Sequence, residues 1–438
     1  MNKRMIMLMA AVLALLSASG QVSFTGGDVD VFVAPESTDE FTIFVIYDTQ
    51  DVIMHYPSET GERPTVCSYE SYPNEIDGVK WNGFEATLNQ VKEGGYIIND
   101  NYRFWVVNYA NHHMELNDLF FSNEVSCDLL SFTIDGHAEA IIYKRFGGSP
   151  QVLDRGIELS YKTLQWDSNT KSWEEQDVVE TFASLDQGIQ ISAPLCDNSA
   201  FVLTGDRFLK EWNLDLESKE CGPYAAQAVS CIATAVQDKS ENSEESQSSG
   251  LGGSAPFNIV FTGYRTDAAN YYVWEMATDE DFENIIRQEY QDVFEYEFNE
   301  SGTFYFRYVV ANGTCEYTSE TFRVSVDPSD LPMSKLLPNV LSQGSDGGDK
   351  RVWKVPAKSM IEFHCWIYNR WGNLVYEFTD PDEGWDGTYK GQYVDTGVYF
   401  YVITATGSDG KKYERHGDIN VLNYKGTRGT TESGMGGL

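Results

Sequence analysis

The chain has 438 residues, 67 acidic against 31 basic, and a formal net charge of −36. That balance makes nucleic acid and anionic lipid poor partners, because binding them through counterion release needs clustered Lys and Arg. Aromatic residues make up 14% of the chain. Much of this is Tyr and Phe in alternating runs between turn residues, so an all-β protein built from several sandwich domains is expected.

Lys3 and Arg4 precede an apolar run from Met5 to Leu16, and Ala18, Ser19 and Gly20 supply small residues ahead of Gln21. This is the pattern of a secretory signal peptide over residues 1–20. The run falls short of the roughly 20 apolar residues that cross a bilayer, and no other stretch approaches that length, so no transmembrane segment is expected. Export would place the seven cysteines, Cys67, Cys127, Cys196, Cys221, Cys231, Cys315 and Cys365, in an oxidising compartment. Cys127 with Cys196 would bracket one domain, and Cys221 with Cys231 would staple a short loop. The odd count leaves at least one thiol without a partner in the chain. No CxxC pair has a matching second pair or His, so structural zinc is not expected.

Short strands such as Phe41–Tyr47 and Tyr102–Asn108 define a first sandwich over residues 21–125, with Pro57, Pro64 and Pro73 in its loops. A second sandwich, over 126–220, carries Ala138–Tyr143, Ile157–Leu164 and Phe201–Thr204. One larger domain ending near residue 220 is the alternative partition. A flexible acidic linker is expected over 221–255, clearest from residue 236 onward. There Ser, Glu and Gly dominate, and too little apolar area is available to offset the entropy of ordering.

Beyond it, Phe257, Ile259 and Phe261 alternate, as do Phe294, Tyr296 and Phe298 against Glu295 and Glu297. Gly302–Val310 and Thr321–Val326 add two strands to a third sandwich over 256–328, in which Asp279–Gln288 is the one short helical segment expected. This layout resembles a PKD-type immunoglobulin-like domain. In that family a Trp on an early strand packs across the sandwich, a role the resemblance gives to Trp274. Ala277-Thr278-Asp279 stands where the family usually has an Asp-Gly turn.

Residues 329–422 read as a β-meander. Ile361, Phe363, Cys365 and Ile367 alternate with Glu362, His364, Trp366 and Tyr368, giving one apolar and one mixed face. Asn369-Arg370-Trp371-Gly372-Asn373 turns the chain into Leu374–Phe378, since Gly372 and Asn373 both tolerate positive φ. Further turns at Asp386-Gly387 and Lys390-Gly391 lead to Asp395-Thr396-Gly397. The strand from Val398 through Tyr399 and Tyr401 to Ala405 follows, and Gly417-Asp418 opens the last strand, Ile419–Leu422.

These residues resemble the gliding-motility-associated C-terminal domain of Bacteroidetes, the type B sorting domain of the type IX secretion system. The matching segments are LPNVLSQ (Leu337–Gln343), IEFHCWIYNRWGNLVYEF (Ile361–Phe378), GWDGTYKGQYVDTGVYFYVI (Gly384–Ile403) and GDINVL (Gly417–Leu422), in the family's order and spacing. The resemblance implies a C-terminal β-sandwich recognised by the outer-membrane translocon and its attachment machinery, after passage of the inner membrane on the signal peptide. An immunoglobulin-like domain, a short Ser-Asp connector (Asp327–Leu331) and a type B domain together resemble the PorA family, which implies a periplasmic sensor kinase as a further partner. The family's domain normally ends at its last strand. Here residues 423–438 add a Gly/Thr-rich tail that reads as disordered.

Trp371 and Trp385 are both expected in the core, because a domain of this size needs large buried side chains. Arg370 is read as a partner contact in preference to an ion pair with Asp386 or Asp395. Asp380, Asp382, Glu383 and Asp386 lack a calcium-loop repeat and are read as solvated turn residues, with Asp386 capping its own turn. No GxSxG, HExxH, Walker or GxGxxG pattern is present. His55, His112 and His113 lie in polar, loop-like sequence and are read as satisfied or surface residues. No cofactor is expected, and the chain reads as an exported, non-catalytic envelope protein bound for the cell surface. An adhesin or glycan-binding protein delivered by the same route is the alternative.

Overall fold

A computed structural model describes residues 22–27, 29–122, 126–237, 250–343 and 352–423. The expected signal peptide, the centre of the acidic linker and the tail beyond Asn423 lie outside them. The protein is all-β and divides into two compact units. One holds the chain up to Gln165 with Glu174–Ala226, and the other holds Trp166–Trp173 with Gln227 onward. Among the described residues no helix is long and apolar enough to cross a membrane.

In the first unit, a five-stranded sheet runs in the order Val31–Val33, Phe41–Ile46, Tyr102–Asn108, Gly94–Ile98, Val66–Ser68, opposite a four-stranded sheet that includes Ile53–Pro57 and Glu85–Asn89. Phe41–Ile46 pairs in parallel with Tyr102–Asn108 and is apolar at nearly every position. Both of its faces are covered, which is why it reads as a continuous hydrophobic run. Phe44 and Ile46 fill the sandwich core, whereas Phe41, Ile43 and Val45 face outward. There the hairpin Ile141–Lys144/Pro150–Leu153 and the short helix Arg207–Glu211 cover them through Ile141, Tyr143, Leu153, Phe208 and Leu209.

That hairpin and helix belong to a second sandwich. Its sheets are Glu115–Phe121, Leu129–His137, Ile189–Ser192 and Ser172–Phe182, Ile157–Asp167, Phe201–Gly205, Glu217–Cys221. The two sandwiches share a buried polar node. Arg155 and Asp206 are almost fully buried and lie 2.8 Å apart. Asp206 also accepts from the Tyr109 hydroxyl at 3.2 Å and caps the helix at Leu209 N, while Arg155 donates to the carbonyls of His112 and Glu139.

The second unit contains the immunoglobulin-like sandwich and the C-terminal domain. Trp274 is buried in the former, with ring centroids 5.0 Å from Tyr308 and 5.5 Å from Phe261. Three expectations are corrected here. The sandwich begins before residue 256. Cys231–Gln237 pairs with Phe257–Arg265, and Leu251–Gly253 lies parallel to Phe322–Val326, so both ends of the expected acidic stretch carry strands of the sandwich. The short run CIATAV, with β-branched Ile232, Thr234 and Val236 and buried Cys231, suits a sheet strand despite its polar sequel. Asp279–Gln288 is not helical. Asp279 accepts from Glu283 N and Asn284 N to form a turn, and Ile285–Glu289 follows as an edge strand on Tyr271–Ala277. Among the described residues the α-helix is Arg207–Glu211, too short for a periodic signal. Finally, Cys196, Cys221 and Cys231 are free thiols, so neither the 127–196 nor the 221–231 pairing forms. Cys231 lies buried on a strand of the third sandwich, out of a loop that a disulfide would staple.

Candidate functional site: the C-terminal domain and its junction

A five-stranded sheet organises the C-terminal domain, in the order Val340–Gln343, Lys412–Asn423, Gly397–Gly407, Met360–Tyr368, Leu374–Phe378. The alternation read from sequence is the physical one. Phe363, Cys365 and Ile367 are buried with Tyr399, Tyr401, Ile403, Ile419 and Val421, while Ile361 is exposed at the strand's start. Val398, Phe400 and Leu422 stand exposed on the opposite face.

The motif residues divide into builders and presented groups. Trp385 is fully buried; its indole N–H donates to Thr388 O at 2.9 Å, and its ring meets Tyr399 at 5.2 Å. Its backbone bonds reciprocally with Trp353, whose ring lies 5.0 Å from Tyr401. Asp386 accepts from both the backbone and the hydroxyl of Thr388, the turn bond expected of it. Gln343 donates to the Gly387 carbonyl. Gly397 pairs with Val421, Val398 with Asn420, and Tyr401 with Gly417. A Cβ at Gly417 would collide with the Tyr401 ring, so only glycine allows that crossing. Asp418 lies opposite Phe400 and accepts from Asn420.

Trp371 overturns its core expectation: it is 73% exposed. It sits at a hairpin tip where the chain must reverse, and no second layer of the fold reaches it. Asn369 Oδ1 accepts from Trp371 N and Asn373 N at 3.0 Å each, and Gly372 takes φ +80°. Arg370 places its guanidinium 4.7 Å from the Trp371 ring centre, and makes no ion pair with Asp386 or Asp395 among the described residues. The tip is therefore a hydrogen-bonded turn presenting a stacked Arg–Trp pair.

Sequence reasoning missed the junction with the preceding sandwich. Ser329 and Leu331 in the connector are buried. The Ser329 hydroxyl bonds Asp409 and Tyr413, and Arg415 donates to the carbonyls of Leu331 and Pro332. Ser359 N donates to Ser254 Oγ at 2.6 Å, Ser408 Oγ donates to Asp327 O, and Ser301 N donates to Ser408 O. Small polar residues carry no periodic signature, so these partners were invisible in the sequence. Lys411 and Ser329 hold the Asp409 carboxyl at a pKa of about 2, below its usual 3.8. A depressed carboxylate stabilises the fold above the unfolded pKa, and that contribution is lost as pH falls from about 4 through about 2. Limited proteolysis of the connector is accordingly expected to accelerate only below pH 4 in the wild type, with Asp409→Asn accelerated already at neutral pH.

Among the histidines, His112 meets Glu93 at 2.7 Å and His55 meets Glu85 at 3.1 Å, both as satisfied pairs. Asp380 accepts from Asp382 N within its own turn.

Two family models match the chain. Residues 120–220 match a fibronectin type III domain. Residues 335–421 match the CHU_C type IX secretion signal domain. The C-terminal domain is a type IX sorting domain.

This sorting domain follows immunoglobulin-like sandwiches and marks the protein for export to the cell surface. Solved structures also show similarity to the chain. Sidekick-1 immunoglobulin domains 1–5 share 9% identity over 90% of this chain and 81% of theirs, at a TM-score of 0.23. The three N-terminal domains of the bacteriophage RB49 outer capsid protein Hoc share 10% over 71% and 99%, at 0.22. A bacterial ice-binding adhesin shares 8% over 71% and 98%, at 0.21. No curated protein matches the sequence.

Proposed function

We propose that this is an exported, non-catalytic envelope protein that the type IX translocon and its attachment machinery grip through the Arg370–Trp371 tip. The observation that carries this reading is a large aromatic standing exposed at a hairpin tip whose backbone is hydrogen-bonded to the Asn369 side chain. Exposed Trp and Arg anchors are the residues on which binding energy concentrates. Trp371→Ala is expected to leave unfolding stability within about 0.5 kcal/mol of wild type, as for a surface side chain. Surface delivery, scored by protease shaving of intact cells, is expected to fall several-fold. Unchanged delivery would move the contact elsewhere on the domain.

The connector further supports retention of the sorting domain after export, since Ser329 and Leu331 are buried and hydrogen-bonded to the sorting domain. Retention suits a PorA-like role, in which the domain itself is read by a periplasmic sensor kinase of an envelope two-component and sigma-factor system. Intact mass of the protein recovered from outer membranes tests this: a species still carrying residues 330–423 agrees with it, and a truncated one does not. An adhesin or glycan-binding role is the second reading, favoured by a patch on the N-terminal sandwich.

A further inference from the structure

At one end of the outer face of the N-terminal five-stranded sheet, aromatic rings and arginines gather. Arg103 and Trp105 alternate with the buried Phe104 on the strand Tyr102–Asn108. Tyr69 directly follows the edge strand Val66–Ser68, and the turn after Ile141–Lys144 carries Arg145 and Phe146 to the same place. The Tyr69 ring meets Trp105 at 5.9 Å and Phe146 at 5.2 Å, and Tyr72 meets Phe146 at 5.1 Å, all edge to face. A Cβ at Gly95 would fall inside the Tyr69 ring, so the absence of a side chain there seats it. Tyr72 and Phe146 are each 37% exposed.

Two features distinguish this patch from ordinary surface packing. The Arg103 guanidinium lies 5.8 Å from the Phe146 ring centre and that of Arg145 lies 5.5 Å from Phe41, and neither forms an ion pair or hydrogen bond among the described residues. In a chain of net charge −36, with carboxylates in excess, two neighbouring unpaired cations are not explained by stability. In addition, the Trp105 indole N–H is buried with no hydrogen-bond partner, and the buried Tyr69 hydroxyl has no side-chain partner. Sealing such a group without a partner costs about 1–3 kcal/mol. Burial raises the Tyr69 pKa, while a hydrogen bond with the Phe146 backbone and, after it, the two arginines pull it back.

We propose that this patch binds an anionic saccharide. The guanidiniums of Arg103 and Arg145 take its carboxylate or sulfate, and the exposed rings of Tyr72 and Phe146 pack on the apolar face of a sugar. A ligand hydroxyl satisfies Tyr69 once Phe146, carried on a turn, shifts outward. This site is independent of the sorting domain and of how export is achieved.

Calorimetric titration of the full-length protein tests it, with oligogalacturonate, a heparin-derived sulfated oligosaccharide, methyl-esterified oligogalacturonate and polyglutamate as probes. At least one anionic saccharide is expected to bind at least tenfold tighter than the neutral ester, and which one identifies the anion. The double substitution Arg103→Gln/Arg145→Gln, and separately Phe146→Ala, are expected to weaken that binding at least tenfold with the thermal transition unchanged. The proposal is overturned if neither anionic saccharide binds, if the variants bind as wild type, or if polyglutamate binds as tightly as the saccharides.

Discussion

Deletion of residues 330–438 is expected to leave the protein folded in the periplasm and to abolish its appearance at the cell surface. The cut removes the whole five-stranded sheet of the sorting domain along with the Arg370–Trp371 tip. It spares the preceding sandwich, whose core around Trp274, Phe261 and Tyr308 draws nothing from beyond Val326. Loss of export will therefore not be confused with loss of folding. Immunoblots of fractionated cells read the outcome, with protease resistance of the periplasmic species as the control for folding. Surface delivery unaffected by the deletion would mean that the address lies elsewhere in the chain.

Asp206→Ala is expected to be the most damaging single substitution in the N-terminal unit. Removing the carboxylate leaves the Arg155 guanidinium charged and buried, and breaking a buried pair from one side costs about 3–5 kcal/mol. It also strips the cap from Arg207–Glu211, worth about 1 kcal/mol more. The helix presents Phe208 and Leu209 to the sheet beneath, so the two losses act on the same cluster. Arg155→Met should cost a comparable amount, and the double variant less than the sum, because each single change already forfeits the pair. Urea unfolding of the four proteins gives that cycle. Additive losses would show that the charges do not depend on one another.

Much of this architecture was legible because strand alternation is a direct imprint of one-sided burial. Phe363, Cys365 and Ile367 were assigned to the core on period alone, and they are buried. Trp385 followed from the need of a small domain for large side chains. The same argument failed for Trp371, since composition says how many aromatics a core requires and not which tip lies beyond its reach. Cys231–Gln237 was hidden by the acidic segment after it, and its pairing with Phe257–Arg265 spans that segment. Trp353 stands in Gly- and Lys-rich sequence with no period at all, yet becomes a central core residue through its reciprocal backbone bonds with Trp385. The junction rests on Ser254, Ser329, Ser359 and Ser408, whose small polar side chains acquire meaning only when the fold brings them within hydrogen-bond distance. The saccharide patch likewise unites residues more than 70 positions apart.

The most direct measurement is a fusion of residues 329–438 to a secreted reporter enzyme behind an N-terminal signal peptide, expressed in a bacterium with a working type IX translocon and in its translocon-deficient counterpart. Reporter activity on the surface of the first strain, and its confinement to the periplasm of the second, is the predicted result. A reporter that stays periplasmic in both strains would contradict the account.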